Sequence, residues 1–260
     1  MMKICAGVRI FLLIIIFFST AYSQKNFKNK RSSAFKAYYH RVSAGVGSTL
    51  EIRDGTLWAW GHNVNGELGD GTTIAKKLPV KIGNDNSWVS TSISCFHALG
   101  LKSDGTLWAW GRNFYGQLGD GTTTDKFQPV QIGTDHNWIS MSAGYLYSMG
   151  IKSDGTLWAW GHNAYGTLGT GTTTNHITPV QIGSSHEWTS VAAGFKCTLA
   201  LKCDGTLWAW GTNREGQLGD GTTENKTSPV QIGSDHTWTT ISNSGEGYCV
   251  ALKTNGTLWA

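Results

Sequence analysis

The sequence predicts an all-β fold, a β-propeller assembled from blades of four antiparallel strands. Two observations carry this expectation. The phrase Asp-Gly-Thr-Leu-Trp-Ala-Trp-Gly begins at Asp54, Asp104, Asp154 and Asp204, a period of 50 residues, and a fifth copy starts at Asn255 and runs to Ala260. Periods of this length mark propellers or solenoids. Each unit also holds about four short strand candidates and lacks the 3.6-residue apolar period that a helical solenoid needs.

Residues 106–110 alternate, with Leu107 and Ala109 on one face and Trp108 and Trp110 on the other. Residues 130–132 are a short candidate after Pro129, which suits the first position of a strand or an edge. Residues 138–143 are rich in small side chains, and 146–152 lead into the next Asp-Gly. Small residues fit the strand nearest a crowded axis, so 142–144 and 192–194 are placed there. Four such strands per unit are expected to make one blade.

The hairpin turns are legible too. Lys102-Ser103-Asp104-Gly105 fits a three-residue loop, a type I turn with a G1 bulge. The first unit reads Arg53-Asp54-Gly55 and is one residue shorter. A two-residue Asp-Gly loop prefers type I′, with positive φ at both residues, and keeps its strands in register.

Tryptophan recurs at Trp88, Trp138, Trp188 and Trp238, besides the two in each full phrase. A buried aromatic removes about 150–250 Å² from water, about 4–6 kcal/mol before entropy. Their recurrence on every strand set reads as cement between blades and not as a sugar-binding platform.

The N-terminus reads as a signal peptide over residues 1–23. Lys3 and Arg9 precede an apolar run of nine residues, and Ala21 and Ser23 fit a cut before Gln24. Nine residues fall short of the roughly 20 that span a bilayer. No later stretch is a membrane candidate, so no integral segment is expected after cleavage. The chain is therefore expected to be secreted, periplasmic or held at the cell surface. Residues 24–41 form a basic leader, expected to be disordered, and the repeats occupy 42–260.

The formal charge of +4 is misleading, because the signal peptide and leader hold eight of the 21 basic residues and all 17 acids lie after residue 50. The repeats are net acidic, a poor footprint for nucleic acid. Four cysteines follow the cut: Cys95, Cys197, Cys203 and Cys249. Cys197 and Cys203 flank one strand and lie roughly 20 Å apart when extended, beyond the ~7 Å limit for a bridge. All four are read as small buried side chains, with no Cys-x-x-Cys pair for zinc or redox work.

The run from Asp104 to Gly121, Asp-Gly-x-Leu-x-x-Trp-Gly-x-Asn-x-x-Gly-Gln-Leu-Gly-x-Gly, resembles the regulator-of-chromosome-condensation repeat family. Ser-Ala-Gly and Phe96-His97-Ala98-Leu99 match the family's next segment, and the likeness covers about 42–260. It implies a seven-bladed propeller. The family includes a nuclear exchange factor for a small GTPase, secreted bacterial inhibitors of β-lactamases, and many interaction modules. Exchange activity rests on a special insertion that these uniform units lack, and the export signal points away from the nucleus. A secreted, bacterial-type member is the expectation.

Asp70, Asp120 and Asp220 in Gly-Asp-Gly-Thr turns lack calcium-loop spacing and read as turn caps. His136, His186 and His236 recur once per unit, too dispersed for a metal. No catalytic, cofactor or metal residue is expected. Two stretches vary while the scaffold is fixed: 64–65, 114–115, 164–165 and 214–215 in one, and 76–78, 126–128, 176–178 and 226–228 in the other. Both are read as loops on which a binding face could be built. Phe114, Tyr115 and Tyr165 are the candidate anchors, with Arg112 and Arg214 as polar contacts.

The expected function is a scaffold that binds a partner protein, without enzymatic activity. The alternative is an enzyme with its site at the channel mouth. The fifth unit stops at Leu258-Trp259-Ala260. The chain is therefore expected to be a fragment, an open arc of about four blades with unpaired edges.

Overall fold

A computed structural model describes residues 41–243 and 248–260. The expected signal peptide, and all of the basic leader except Arg41, lie outside these residues. The described chain is all-β. Its first sheet is β1 (Val42–Ala44), β2 (Ser48–Arg53), β3 (Thr56–Gly61) and β4 (Lys76–Ile82). The second is β5 (Trp88–Ile93), β6 (His97–Lys102), β7 (Leu107–Gly111) and β8 (Lys126–Gln131). The third is β9 (Trp138–Ala143), β10 (Tyr147–Lys152), β11 (Leu157–Gly161) and β12 (His176–Gln181). The fourth is β13 (Trp188–Ala193), β14 (Cys197–Lys202), β15 (Leu207–Gly211) and β16 (Lys226–Gln231). The fifth has three strands, β17 (Trp238–Asn243), β18 (Cys249–Lys253) and β19 (Leu258–Trp259). Every pairing is antiparallel between chain neighbours.

The strands β1, β5, β9, β13 and β17 touch in succession and form the inner layer. Small side chains therefore do line the axis, as the sequence predicts. One expectation needs correcting, because a sequence unit is not a blade. Asp104-Gly105 is the β6–β7 hairpin, so the unit that starts there supplies the two outer strands of one sheet and the two inner strands of the next. Each junction between sheets is thereby spanned by one continuous unit of chain.

The core lies between sheets. Leu99, Leu101, Leu107 and Ala109 of the second sheet pack against Trp138, Met141 and Trp160 of the third. Trp110, on the opposite face of β7, packs back onto the first sheet with Leu50, Leu57 and Leu68. Trp160 is fully buried. The ring of Trp138 stands edge-on to Trp158 at 6.1 Å and to Trp160 at 6.0 Å. Lys152 Nζ lies 3.8 Å over Trp158 and 2.9 Å from Asp135. The tryptophans are thus packing groups, and Lys102, Lys152 and Lys202, before the three-residue Asp-Gly turns, close the clusters.

The turns form as expected. Asp54 and Gly55 have φ of 48° and 80°, and Arg53 pairs with Thr56 across the two-residue loop. In the three-residue loop, Gly105 has φ 79° and donates its N–H to Lys102 O at 3.0 Å. The outer strands differ from expectation. β8 covers Lys126–Gln131 with Pro129 inside it, which an edge strand tolerates because the missing N–H faces outward. Residues 76–78, 126–128, 176–178 and 226–228, read as a variable loop, are therefore strand. Of the cysteines, Cys197 is buried as read and faces Cys249 of the next sheet, Cys95 and Cys249 are half-buried, and Cys203 differs in being exposed.

Candidate protein-binding face

Because β5 and β7 run in the same direction, the β5–β6 hairpin and the long β7–β8 loop emerge at the same end of the blade. The Asp-Gly turns and the sheet-to-sheet connections emerge at the other. Main-chain bonds lock the first end together: Arg112 N–H donates to Phe96 O at 2.9 Å, and His162 N–H to Leu146 O at 2.9 Å.

The long loop is held from within by a buried asparagine. Asn113 Oδ1 accepts from Leu118 N at 2.9 Å, and its Nδ2 donates to Asp120 Oδ1, Thr122 O and Thr124 O at 3.0–3.2 Å. Gln117 Oε1 accepts from Tyr115 N at 2.9 Å. Burial pushes the Asp120 carboxyl up, but Thr122, Lys126 and Asn113 outweigh it and hold the group below the usual range. Asp120 is a turn cap, as read. Thr170 takes the same place with weaker geometry, bonding Asn163 Nδ2 at 3.3 Å and Thr172 Oγ1 at 2.9 Å.

On this rigid loop, Phe114 is 62% exposed and stands edge-on to Tyr115 at 4.9 Å. Tyr115 meets His162 of the next blade at 4.6 Å, and His162 meets Tyr165 at 6.0 Å. Burial and the nearby Lys196 push the His162 imidazole down from its ordinary value, so it is a neutral aromatic surface at pH 7. Phe114, Tyr115 and Tyr165 therefore belong to one row, bridged by His162. Arg112 lies 5.4 Å over the ring of Phe96. Arg214 is exposed.

A second row runs nearer the axis, from the inner hairpins, and the sequence reading did not single it out. Phe96 meets Tyr145 at 5.0 Å, and Tyr145 meets Phe195 at 4.3 Å. Tyr145 N–H donates to Gly194 O at 3.0 Å, which ties adjacent hairpins and sets the rings side by side. Lys196 joins the rows, with Nζ 4.5 Å over Tyr165 and 4.9 Å over Phe195. The signal that could have found this row was an aromatic residue within the two positions after Ser-Ala-Gly or its equivalent, Phe96, Tyr145 and Phe195.

On the opposite end, His136, His186 and His236 each approach the carbonyl oxygen of the Asp-Gly turn, through Nδ1 at 3.1–3.3 Å to Asp104, Asp154 and Asp204. They do not converge. Among the described residues no helix is long and apolar enough to cross a membrane.

Repeated four-stranded antiparallel blades, packed inner strand to inner strand, define a β-propeller architecture. The regulator of chromosome condensation (RCC1) repeat model matches residues 54–101, 104–151, 154–201 and 204–252, and a second model of the same repeat matches 89–117, 138–167 and 188–217. The chain belongs to this repeat family. Among solved structures it is similar to human WBSCR16, at 21% identity and a TM-score of 0.73 over 86% of this chain and 60% of that one. It is also similar to Prp20p of Saccharomyces cerevisiae, at 20% identity and a TM-score of 0.71 over 81% of this chain and 55% of that one. The same yeast protein bound by Kap60 gives 20% identity and a TM-score of 0.73 over 84% and 54%. At these identities the likeness shows the fold alone, and the chain spans little more than half the length of these proteins. No curated protein sequence matches the chain.

Proposed function

We propose that this chain is an exported, non-enzymatic scaffold that holds a partner protein on the hairpin end of its blades. The observation that carries the reading is the continuous aromatic belt across three blades, Phe96–Tyr145–Phe195 inside and Tyr115–His162–Tyr165 outside. Aromatic and arginine side chains on a rigid support are the groups that dominate protein interfaces. Arg112 and Lys196 lie over these rings. Among the described residues no carboxylate forms an ion pair with either. Two cations without counter-charges suit a partner segment that brings carboxylates. The similar yeast protein is described as binding Gsp1p and histones, which supports protein binding as the use of this fold. The run of apolar residues after Lys3 and Arg9 supports export.

The test is retention of proteins from the medium surrounding the producing cells on immobilised chain. Charge reversal by Arg112→Glu with Lys196→Glu is expected to weaken the retained partner's affinity about tenfold or more, which is about 1.4 kcal/mol. Raising the salt from about 0.05 to about 0.5 M should shrink that difference. Unchanged affinity in the folded double variant would contradict the proposal. Export is checked separately: secreted chain should begin at Gln24, and a mature chain retaining Met1 would contradict it.

A further inference from the structure

His97, Tyr147 and Cys197 open β6, β10 and β14, and each buries its side chain against the following sheet. His97 Nε2 lies 2.8 Å from Ser148 Oγ, and Ser148 Oγ donates onward to Gln117 O. Tyr147 OH lies 2.9 Å from Thr198 Oγ1, and Thr198 Oγ1 donates onward to Thr167 O. These two junctions are joined by complementary hydrogen-bonding pairs. At the next junction the same place is taken by two thiols, with Cys197 Sγ 3.4 Å from Cys249 Sγ.

We propose that Cys197 and Cys249 form a disulfide that staples the fourth sheet to the fifth. The sulfurs already face each other across the junction and need to approach by only about 1.4 Å to reach a bond length of about 2.05 Å. No other pair among Cys95, Cys197, Cys203 and Cys249 is recorded in contact. Both cysteines line a cleft of about 770 Å³ between these sheets, with Tyr248 and Trp259 on its wall. A small disulfide reagent therefore has a route to the pair. The Cys197 thiol is brought down by its hydrogen bond with Cys249, which favours it as the attacking thiolate.

The chemistry is thiol–disulfide exchange with a disulfide oxidant. The Cys197 thiolate attacks one sulfur of the oxidant and expels the other as a thiolate, leaving a mixed disulfide. Cys249 then loses its proton, attacks Cys197 Sγ and expels the second thiolate. One disulfide forms in the protein, one is reduced to two thiols in the oxidant, and two protons are transferred.

Purified chain beginning at Gln24 is equilibrated with oxidised glutathione or with dithiothreitol, alkylated with N-ethylmaleimide, and mapped by mass spectrometry. The expected oxidised product is lighter than the reduced protein by two hydrogen atoms before alkylation. It yields one linked peptide pair containing Cys197 and Cys249, with Cys95 and Cys203 alkylated. Full alkylation of both Cys197 and Cys249 after oxidation would overturn the proposal. So would pairing of either with Cys95 or Cys203, or a stable glutathione adduct on Cys249. A second variant guards against misfolding. Cys197→Tyr with Cys249→Thr copies the Tyr147–Thr198 junction. Wild-type Tm should fall on reduction, and the double variant's Tm should not move. An equal redox-dependent shift in both proteins would also overturn the assignment.

Discussion

Trp110 donates its indole N–H to the main-chain carbonyl of Glu67, 2.9 Å away in the loop of the preceding blade. Trp210 makes the same bond to Thr167 O at 2.8 Å. The equivalent Trp160 Nε1 is buried without a partner, and Gln117 O there accepts from Ser148 Oγ. The three rings thus fill the same space with different polar outcomes. Trp110→Phe and Trp160→Phe remove the same atoms from fully buried sites. Only the first strands a buried carbonyl, which costs about 1–3 kcal/mol. Chemical denaturation should place Trp110→Phe below Trp160→Phe by that margin. Equal losses would mean that the inter-blade hydrogen bond contributes nothing.

His97 is fully buried between Ser94 Oγ at 3.1 Å and Ser148 Oγ at 2.8 Å. Burial pushes its imidazole from 6.5 down to about 3. The unfolded chain therefore binds the proton that the folded chain refuses. The stability from a neutral His97 is complete above about pH 6.5 and is lost as the pH falls toward 3, with a slope of about 1.4 kcal/mol per pH unit. Burial pushes the Asp85 carboxyl up, but Lys102 and Ser87 outweigh it and bring it down to about 2 from 3.8, so its own loss begins only at lower pH. Denaturation midpoints between about pH 6.5 and 4.5 should fall steeply in wild type and less steeply in His97→Gln. Parallel slopes would remove His97 as the cause, and the comparison cancels the half-exposed His162, which shifts in the same direction.

Asp54 is the only non-glycine with positive φ among the described residues. A β-branched side chain there meets the left-handed penalty of about 1–2 kcal/mol, whereas asparagine tolerates the conformation. Asp54→Val should lower stability by about that amount, and Asp54→Asn should leave it nearly unchanged. A neutral valine would show that the two-residue turn relaxes into another form.

The Asp54-Gly55 turn was legible because a deleted residue changes local backbone chemistry, which sequence reports directly. The blade boundary was not. A hairpin turn and a connection between sheets carry similar polar and glycine signals, and only pairing distinguishes Asp104-Gly105 from the stretch before Trp138. The outer aromatic row was visible because Phe114, Tyr115 and Tyr165 change from unit to unit. The inner row was not, because its rings hold no single repeat position: Tyr145 and Phe195 are equivalent, but the ring beside them is Phe96, one residue after the equivalent Cys95. That Cys197 faces Cys249 was not legible, because the two are 52 residues apart, whereas His97–Ser148 and Tyr147–Thr198 are 51 apart. One extra residue in the fifth unit takes Cys249 out of the repeat register.

The proposal that a partner sits on the hairpin end is tested most directly by site-specific photocrosslinking. A benzophenone amino acid replaces Tyr145, in the middle of the inner row, or His186, on the opposite end beside the Asp154 carbonyl. Both folded proteins are irradiated in the medium surrounding the producing cells. The account predicts a discrete protein adduct from position 145 that is competed away by unlabelled chain and is absent from position 186. An adduct from position 186 alone, or equal adducts from both, would contradict it.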